Sequence, residues 1–341
     1  MPELPHQFLS EAPIALVPVL VFLTTLLFYD SYRLISLTEL LVTIAAGIGL
    51  GIASYFVNGY LIGSLAIDYT TYSHLAGPAV EEALKASAIA ILFFRNRIGF
   101  LIDALIMGFA VGTGFGVFEN IYYLYTFHDA AIGDWIVRGF GTAVMHGGAT
   151  AIFAALTQSL VERRATLRIW HFIPSLAIAT AAHAGYNMLQ DMPLVAAFAV
   201  LVGFPALFYF LFSKSEHAVH QWLVHDYESH EQLLADIESG RFAHSEAGRF
   251  ILGLTRRFSD AVVESMFAYI KLHAQLVLLA EKRSLAREGK GEAGPSPVQI
   301  KEDLRHLREL EKRVGRTAMM VLWPHLHFSR RELWELHELG A

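Results

Sequence analysis

Several ionisable side chains lie inside otherwise apolar stretches of the chain. In "GPAVEEALKASAIAILFF", two carboxylates and one ammonium group interrupt an apolar run that starts at Gly77. Ionisable groups in the hydrocarbon core of a bilayer cost several kcal/mol unless they are paired or hydrated, so they are candidates for function. Carboxylates and imidazoles in such a position can activate water for hydrolysis or bind a metal ion. The candidates, in four successive apolar segments, are Glu81, Glu82, Lys85, Glu119, Asn120, His146, His183 and Asn187.

The spacing within the first of these segments predicts which side chains share a helix face. Glu81 and Lys85 are four residues apart, so they are expected to pair, which gives Lys85 a structural role. Glu82 lies about 100° further around the helix and is expected to be free to face a cavity.

Two of the remaining polar residues are expected in the site, and three others have structural or interfacial roles. His183 and Asn187 are also four residues apart and present an imidazole and an amide on one face. Asn120 is interpreted as a residue that caps or bridges helices. Asp103 and Arg138 lie near the ends of their apolar segments and are expected at the membrane interface.

The composition predicts an all-α polytopic membrane protein. Charged residues make up 17% of the 341 residues, the mean hydropathy is +0.42, and cysteine is absent. Soluble domains average about 25% charged residues. The lack of cysteine excludes disulfides and a thiol nucleophile, and the net charge of -6 argues against a nucleic-acid partner. Seven segments have the length of a transmembrane helix: 13–29, 38–57, 75–94, 101–126, 136–161, 172–190 and 194–212.

The distribution of Lys and Arg predicts the orientation of these segments. Basic residues cluster in alternate loops, which places the N-terminus outside and the C-terminus inside. At 1.5 Å per residue, Glu81 lies about 9 Å below the outer edge, Glu119 about 10 Å, His146 about 15 Å and His183 about 10 Å. The four ionisable groups are therefore expected in one layer, in the outer half of the membrane.

The chain is expected to have two domains, a transmembrane domain at 1–213 with a core at 75–190, and a cytosolic tail at 214–341. The tail is predicted to form a helix at 216–239 that stops at Gly240, a long helix at 246–287 and a third helix at 299–322. The sequence "GKGEAGPSP" between the last two predicts a helical hairpin.

Four short motifs on successive segments resemble those of one family. "EEALK", "FGVFEN", "HGGATAIFA" and "HAGYN" resemble the signature of the PrsW intramembrane proteases, in a superfamily with the CAAX prenyl proteases and bacteriocin-immunity-type proteins. The resemblance covers about 76–189. It implies cleavage of a membrane-anchored, single-span protein near the outer face, such as site-1 cleavage of an anti-sigma factor. In the CAAX branch the second motif ends in His, whereas Glu119 stands at that spacing here.

Hydrolysis without a metal is one mechanism that these residues could support. Glu82 or Glu81 would act as general base, and Glu119 or His146 would position the water. His183 and Asn187 would donate to the oxyanion. The residues involved would be Glu81, Glu82, Glu119, His146, His183 and Asn187.

A zinc site is the other mechanism. His146, His183 and one or two of the glutamates, with Glu82 as the named candidate, form a nitrogen–oxygen ligand set, and bound Zn²⁺ would acidify the water. No His-Glu-x-x-His pair occurs in the chain, so both versions stay open, with the metal-free one slightly favoured.

Two other classes of function use similar residues. A proton-coupled transporter also needs intramembrane Glu and His, but repeats and paired broken helices are absent from the sequence. A non-catalytic membrane scaffold or sensor could act through the tail. The tail is expected either to assemble a homo-oligomer or to receive a signal. Membrane lipid is the expected surrounding, in the cell membrane of a bacterium or an archaeon.

Overall fold

The computed structural model describes residues 6–28, 35–127, 130–161, 167–287 and 295–315, with single positions beyond these. Side chains are described for the same residues except 6–9, 212–229, 246, 256 and 284–287. Regular structure in this part of the chain is entirely helical, and the chain divides into two compact units between Glu216 and His217. The all-α prediction is confirmed.

The first unit contains one helix for each of the seven predicted segments. They are α1 (His6–Phe28), α2 (Leu37–Ser64), α3 (Gly77–Phe94), α4 (Leu101–Thr126), α5 (Ala143–Val161), α6 (Ile173–Met188) and the first part of α7 (Pro193–Glu238), whose residues after Glu216 belong to the second unit. The ends follow local sequence signals. Ser36 and Glu39 form a capping box before α2, and Pro78 and Pro174 lie in the first turns of α3 and α6, where proline is tolerated.

Two of the seven helices would not be recognised as membrane spans by length and hydropathy alone. Five helices of the first unit are long and apolar enough to cross a membrane. The exceptions are α3, which carries three charges, and α6, which has 16 residues. Both helices bear residues of the candidate site, and α3 is excluded because of its site charges.

Helix α4 lies at the centre of the unit and is buried along most of its length. It packs mainly against α5 and α2. Close approach depends on glycine, because a Cβ at Gly112 would overlap the carbonyl oxygen of His146, and one at Gly114 would overlap that of Ile44. The small residues of α4 therefore set the position of the α5 backbone at His146.

We expect Gly112→Ala to destabilise the protein by about 1–3 kcal/mol, the usual cost of overpacking a filled core. Gly49→Ala on α2 is the matched control, because a Cβ there meets open space. Denaturant titration of the two variants in detergent measures the difference. Equal stability of both variants would contradict this packing.

One turn of π-helix precedes each of two site helices. Tyr72–Ala76 follows a short helix (Tyr69–Thr71) and leads into α3, and Arg138–Thr142 follows another (Ile132–Val137) and leads into α5. Such turns widen the helix locally and are frequent at functional sites.

The second unit differs from the predicted tail in its helix boundaries. The predicted last span and first tail helix are one continuous helix, α7, which stops before Gly240 as predicted, with that residue at φ 76°. The single helix predicted at 246–287 is wrong. It is divided into α8 (Glu246–Gly253) and α9 (Asp260–Arg287), because Gly253 favours a break and the Ser259 carbonyl begins a new helix by accepting from Val262 and Val263.

The third tail helix, α10 (Pro297–Val314), ends at Gly315, where φ is 80°. Its predicted extension to residue 322 falls largely outside the described residues. Helices α9 and α10 pack against each other around a shared apolar core that includes Ile270 and Leu310. Although α9 is apolar enough to resemble a membrane span, half of that stretch is buried within the protein, which accounts for its composition without a membrane.

Candidate active site

Helices α3, α4, α5 and α6 bring their ionisable side chains into one cluster. Glu82 Oε1 lies 2.9 Å from His183 Nδ1 and 2.5 Å from Lys85 Nζ. Lys85 Nζ lies 3.2 Å from His146 Nδ1, and His146 Nε2 lies 2.7 Å from Glu119 Oε2. One continuous set of hydrogen bonds therefore joins all four predicted segments.

The roles expected for the two adjacent glutamates are exchanged. Lys85 was expected to pair with Glu81, but it pairs with Glu82, three residues away. Glu82, expected to face a cavity, is 1% exposed at its side chain, and Lys85 is completely buried. Both spacings are within reach on a helix, and burial selected the carboxylate that also meets His183.

The partners of the two imidazoles indicate their tautomers. His183 Nδ1–H donates to Glu82, so its Nε2 carries the lone pair. His146 Nε2–H donates to Glu119, and its Nδ1 accepts from Lys85. The two rings lie perpendicular with centroids 4.8 Å apart. Each histidine is thus oriented by a carboxylate on one nitrogen.

Glu81 occupies the wall of a cavity of about 1130 Å³. Its Oε2 lies 3.9 Å from His183 Nε2, and its side chain is 18% exposed. Two atoms that carry lone pairs therefore face each other across a gap. A water molecule or a cation between them would satisfy both.

Arg138 contacts the site. Its Nη2 lies 3.3 Å from Glu119 Oε1, its Nε donates to Asn120 Oδ1 at 3.0 Å, and its guanidinium lies 3.6 Å from the Tyr123 ring centroid. Its placement at the membrane interface stays a prediction. Glu119 is accompanied by a cation that offsets its charge.

Asp103 is buried within the protein, and its position at the membrane interface stays a prediction. Its Oδ2 accepts from the backbone N–H groups of Gly99 and Phe100, which anchors the start of α4. Asn120 bridges helices, with Nδ2 donating to the Ala15 carbonyl of α1 at 2.7 Å.

Asn187 and Tyr186 line the same cavity on the side of α6. Asn187 Nδ2 donates to the Ser73 carbonyl at 2.9 Å, in the π turn before α3. The Tyr186 hydroxyl lies 3.2 Å from Thr142 Oγ1. The predicted oxyanion role of Asn187 stays a prediction, and one N–H of its amide is engaged by Ser73.

A metal ion would find three converging ligands here. Donor atoms of Glu81, His146 and His183 all lie within 4.8 Å of one another, whereas Glu82 is paired with Lys85. Two imidazoles and a carboxylate are a common ligand set of catalytic zinc. Glu119 and Glu82, bonded to the histidines, supply the outer carboxylates that such ligands usually have. The donor set fits Zn²⁺, with Lys85 competing at His146 Nδ1.

The fold and the site together define a class of protein. A polytopic helical membrane protein whose buried carboxylates and imidazoles meet beside a cavity has the features of an intramembrane protease. Residues 36–212 match the PrsW family of intramembrane metalloproteases, and the chain belongs to that family. The family expected from the four motifs is confirmed. No curated protein and no solved structure matches the chain.

Sequence reasoning missed two polar residues that contact the site glutamates. Asn58 was missed because it falls one residue beyond the predicted second segment, whereas α2 continues to Ser64. Its Nδ2 lies 3.1 Å from Glu81 Oε1. Arg138 was assigned to an interface although it lies inside the predicted segment 136–161. A cation within an apolar segment was the signal that could have found it.

Proposed function

We propose that the protein hydrolyses a peptide bond of a single-span membrane protein close to the outer membrane face. The observation that supports this most directly is the opposition of Glu81 Oε2 and His183 Nε2, 3.9 Å apart at the wall of a cavity of about 1130 Å³. A water molecule between a carboxylate and an imidazole lone pair can be deprotonated as it attacks a carbonyl carbon. The cavity is large enough for an extended peptide segment.

Each cavity-facing group has a distinct task in this proposal. In metal-free hydrolysis, Glu81 takes the proton of the attacking water and returns it to the leaving amine. Glu82 keeps His183 in the tautomer whose Nε2 lone pair lies toward Glu81. Asn187 and Tyr186, which also line the cavity, are the candidate donors to the oxyanion.

Zinc can join this arrangement through Glu81, His146 and His183. When bound, it would lower the pKa of the water and polarise the scissile carbonyl. Glu119 is then the remaining carboxylate of the cavity and would take the proton, with Arg138 beside it to balance its charge. The family description as metalloprotease supports this version.

We expect the purified protein to hold about one zinc ion per chain, because three ligand atoms converge. His183→Ala is expected to lose the zinc. Elemental analysis of both samples, prepared in parallel, measures this. Full activity at a small fraction of one zinc per chain would exclude the metal version and leave the glutamate mechanism.

Reconstituted cleavage is the test of the proposed function. Protein in liposomes is mixed with single-span membrane proteins, among them an anti-sigma factor, and fragments are identified by mass spectrometry. Cleavage close to the outer end of the substrate span, absent in the Glu81→Gln variant, is the expected result. Uptake driven by an ion gradient without any fragment would favour a transporter instead.

The surroundings follow from the same features. The first unit carries five helices fit to cross a bilayer, so the protein is a multi-pass membrane protein. We propose that it lies in the cell membrane with its N-terminus outside, in contact with lipid, and that the tail lies in the cytosol.

A further inference from the structure

A chain of hydrogen bonds from outside the four motifs ends on Glu81. The Tyr72 hydroxyl donates to Asn58 Oδ1 at 2.7 Å, and Asn58 Nδ2 donates to Glu81 Oε1 at 3.1 Å. Asn58 Nδ2 also donates to Ser54 Oγ at 3.0 Å. Helix α2, the π turn and α3 are therefore joined at one carboxylate.

The amide of Asn58 has only one orientation that satisfies these partners. Its oxygen accepts from Tyr72, and its two N–H bonds point to Glu81 and Ser54. A flipped amide would turn its oxygen toward the carboxylate and its N–H groups toward a hydroxyl donor. Tyr72, which is 3% exposed, fixes the amide in the useful orientation.

This contact gives the two oxygens of Glu81 different tasks. Oε1 is held by Asn58, and Oε2 is the oxygen that faces His183 Nε2. The second cavity-facing carboxylate repeats the arrangement, since Glu119 Oε1 lies beside Arg138 and Oε2 accepts from His146. In both cases one oxygen is anchored and the other meets an imidazole.

We propose that Asn58 and Tyr72 are positioning residues that hold Glu81 in its productive rotamer. The inference rests on the proposed function, because it assigns a task to the glutamate that activates water. Without Asn58, Oε1 loses its donor and the side chain can rotate away from His183. Outer groups of this kind commonly contribute about 10–100-fold in activity or metal affinity.

Kinetics of three variants test the proposal. Asn58→Ala is expected to lower kcat about 10–100-fold with KM little changed. Tyr72→Phe keeps the ring and removes only the hydroxyl, so a smaller loss is expected. Tyr60→Phe removes a hydroxyl from an exposed residue of the same helix, α2, and is expected to have wild-type kcat. Thermal unfolding of each variant in detergent verifies that it is folded.

The double variant Asn58→Ala/Tyr72→Phe separates positioning from general support of the fold. Tyr72 acts through Asn58, so the double variant is expected to lose no more kcat than Asn58→Ala alone. Multiplied losses would overturn the relay. Because both residues also line the cavity, a rise of KM at unchanged kcat would overturn positioning in favour of substrate binding.

Infrared spectroscopy provides a readout that needs no turnover. The carboxylate band of Glu81, assigned by subtracting the spectrum of Glu81→Gln, is expected to shift in Asn58→Ala and to stay in place in Tyr60→Phe. An unshifted band in Asn58→Ala overturns the inference whatever the activity. If the band shifts in Asn58→Ala but the wild-type protein cleaves no substrate, the hydrogen bond is supported and the proposed function is contradicted.

Discussion

Glutamine in place of Glu81 is expected to lower kcat by about 10²–10⁴-fold, the usual contribution of a general base, with KM little changed. The substitution keeps the size of the side chain and the hydrogen bond from Asn58, but it removes the negative charge and the basic oxygen that faces His183. Cleavage of a reconstituted substrate under single-turnover conditions measures the loss.

The zinc content of the same sample distinguishes the two mechanisms. If Glu81 is a zinc ligand, zinc and activity are lost together. If the mechanism is metal-free, activity falls without a matching loss of zinc. Glu81→Asp is the matched control. It keeps the carboxylate on a side chain that is one methylene group shorter, so we expect intermediate activity. Wild-type turnover by Glu81→Gln would refute the assignment of Glu81.

The convergence of the four polar segments could be predicted from the sequence. Helix rise per residue converts a sequence position into a depth, and helices of alternating direction brought Glu81, Glu119, His146 and His183 to similar depths. In the structure, hydrogen bonds join Glu119 to His146 and His183 to Glu82, and Glu81 lies 3.9 Å from His183. Depth is set by counting residues, and it is insensitive to how each helix is rotated.

Rotation about the helix axis could not be predicted from the same pattern. Glu81 and Glu82 lie four and three residues before Lys85, and both spacings allow a pair on a helix. The choice depends on how α5 and α6 pack against α3, because Glu82 meets His183 of α6 and Lys85 meets His146 of α5. The roles of the two glutamates were therefore exchanged in the sequence-based interpretation.

Polar residues at the edges of apolar segments were not assigned to the site, and the reason is different. A hydropathy window ends where apolar residues end, but α2 continues past Val57 to Ser64 and carries Asn58 to the site. Likewise, Arg138 near the start of its segment was assigned to the membrane interface, although its side chain lies 3.3 Å from Glu119. Polar residues at the boundary of a span are ambiguous until the neighbouring helices are placed.

Lys85→Met is expected to destabilise the protein by roughly 3–5 kcal/mol, the cost of breaking one partner of a buried ion pair. The ammonium group is completely buried, 2.5 Å from Glu82 and 4.8 Å from the Phe115 ring centroid. Its removal leaves the Glu82 carboxylate with His183 as its neighbour but without a compensating charge. Denaturant titration in detergent measures the loss.

The double variant Lys85→Met/Glu82→Gln tests whether this loss comes from the pair or from packing. With both charges removed, the remaining side chains are neutral, so the double variant is expected to be less destabilised than the sum of Lys85→Met and Glu82→Gln. Additive losses would mean that the two residues do not depend on each other. Recovered stability is not expected to restore cleavage, because a glutamine at position 82 no longer offers His183 a carboxylate. Folding requires that the charges of the pair cancel, whereas hydrolysis requires that one of them is a carboxylate beside His183.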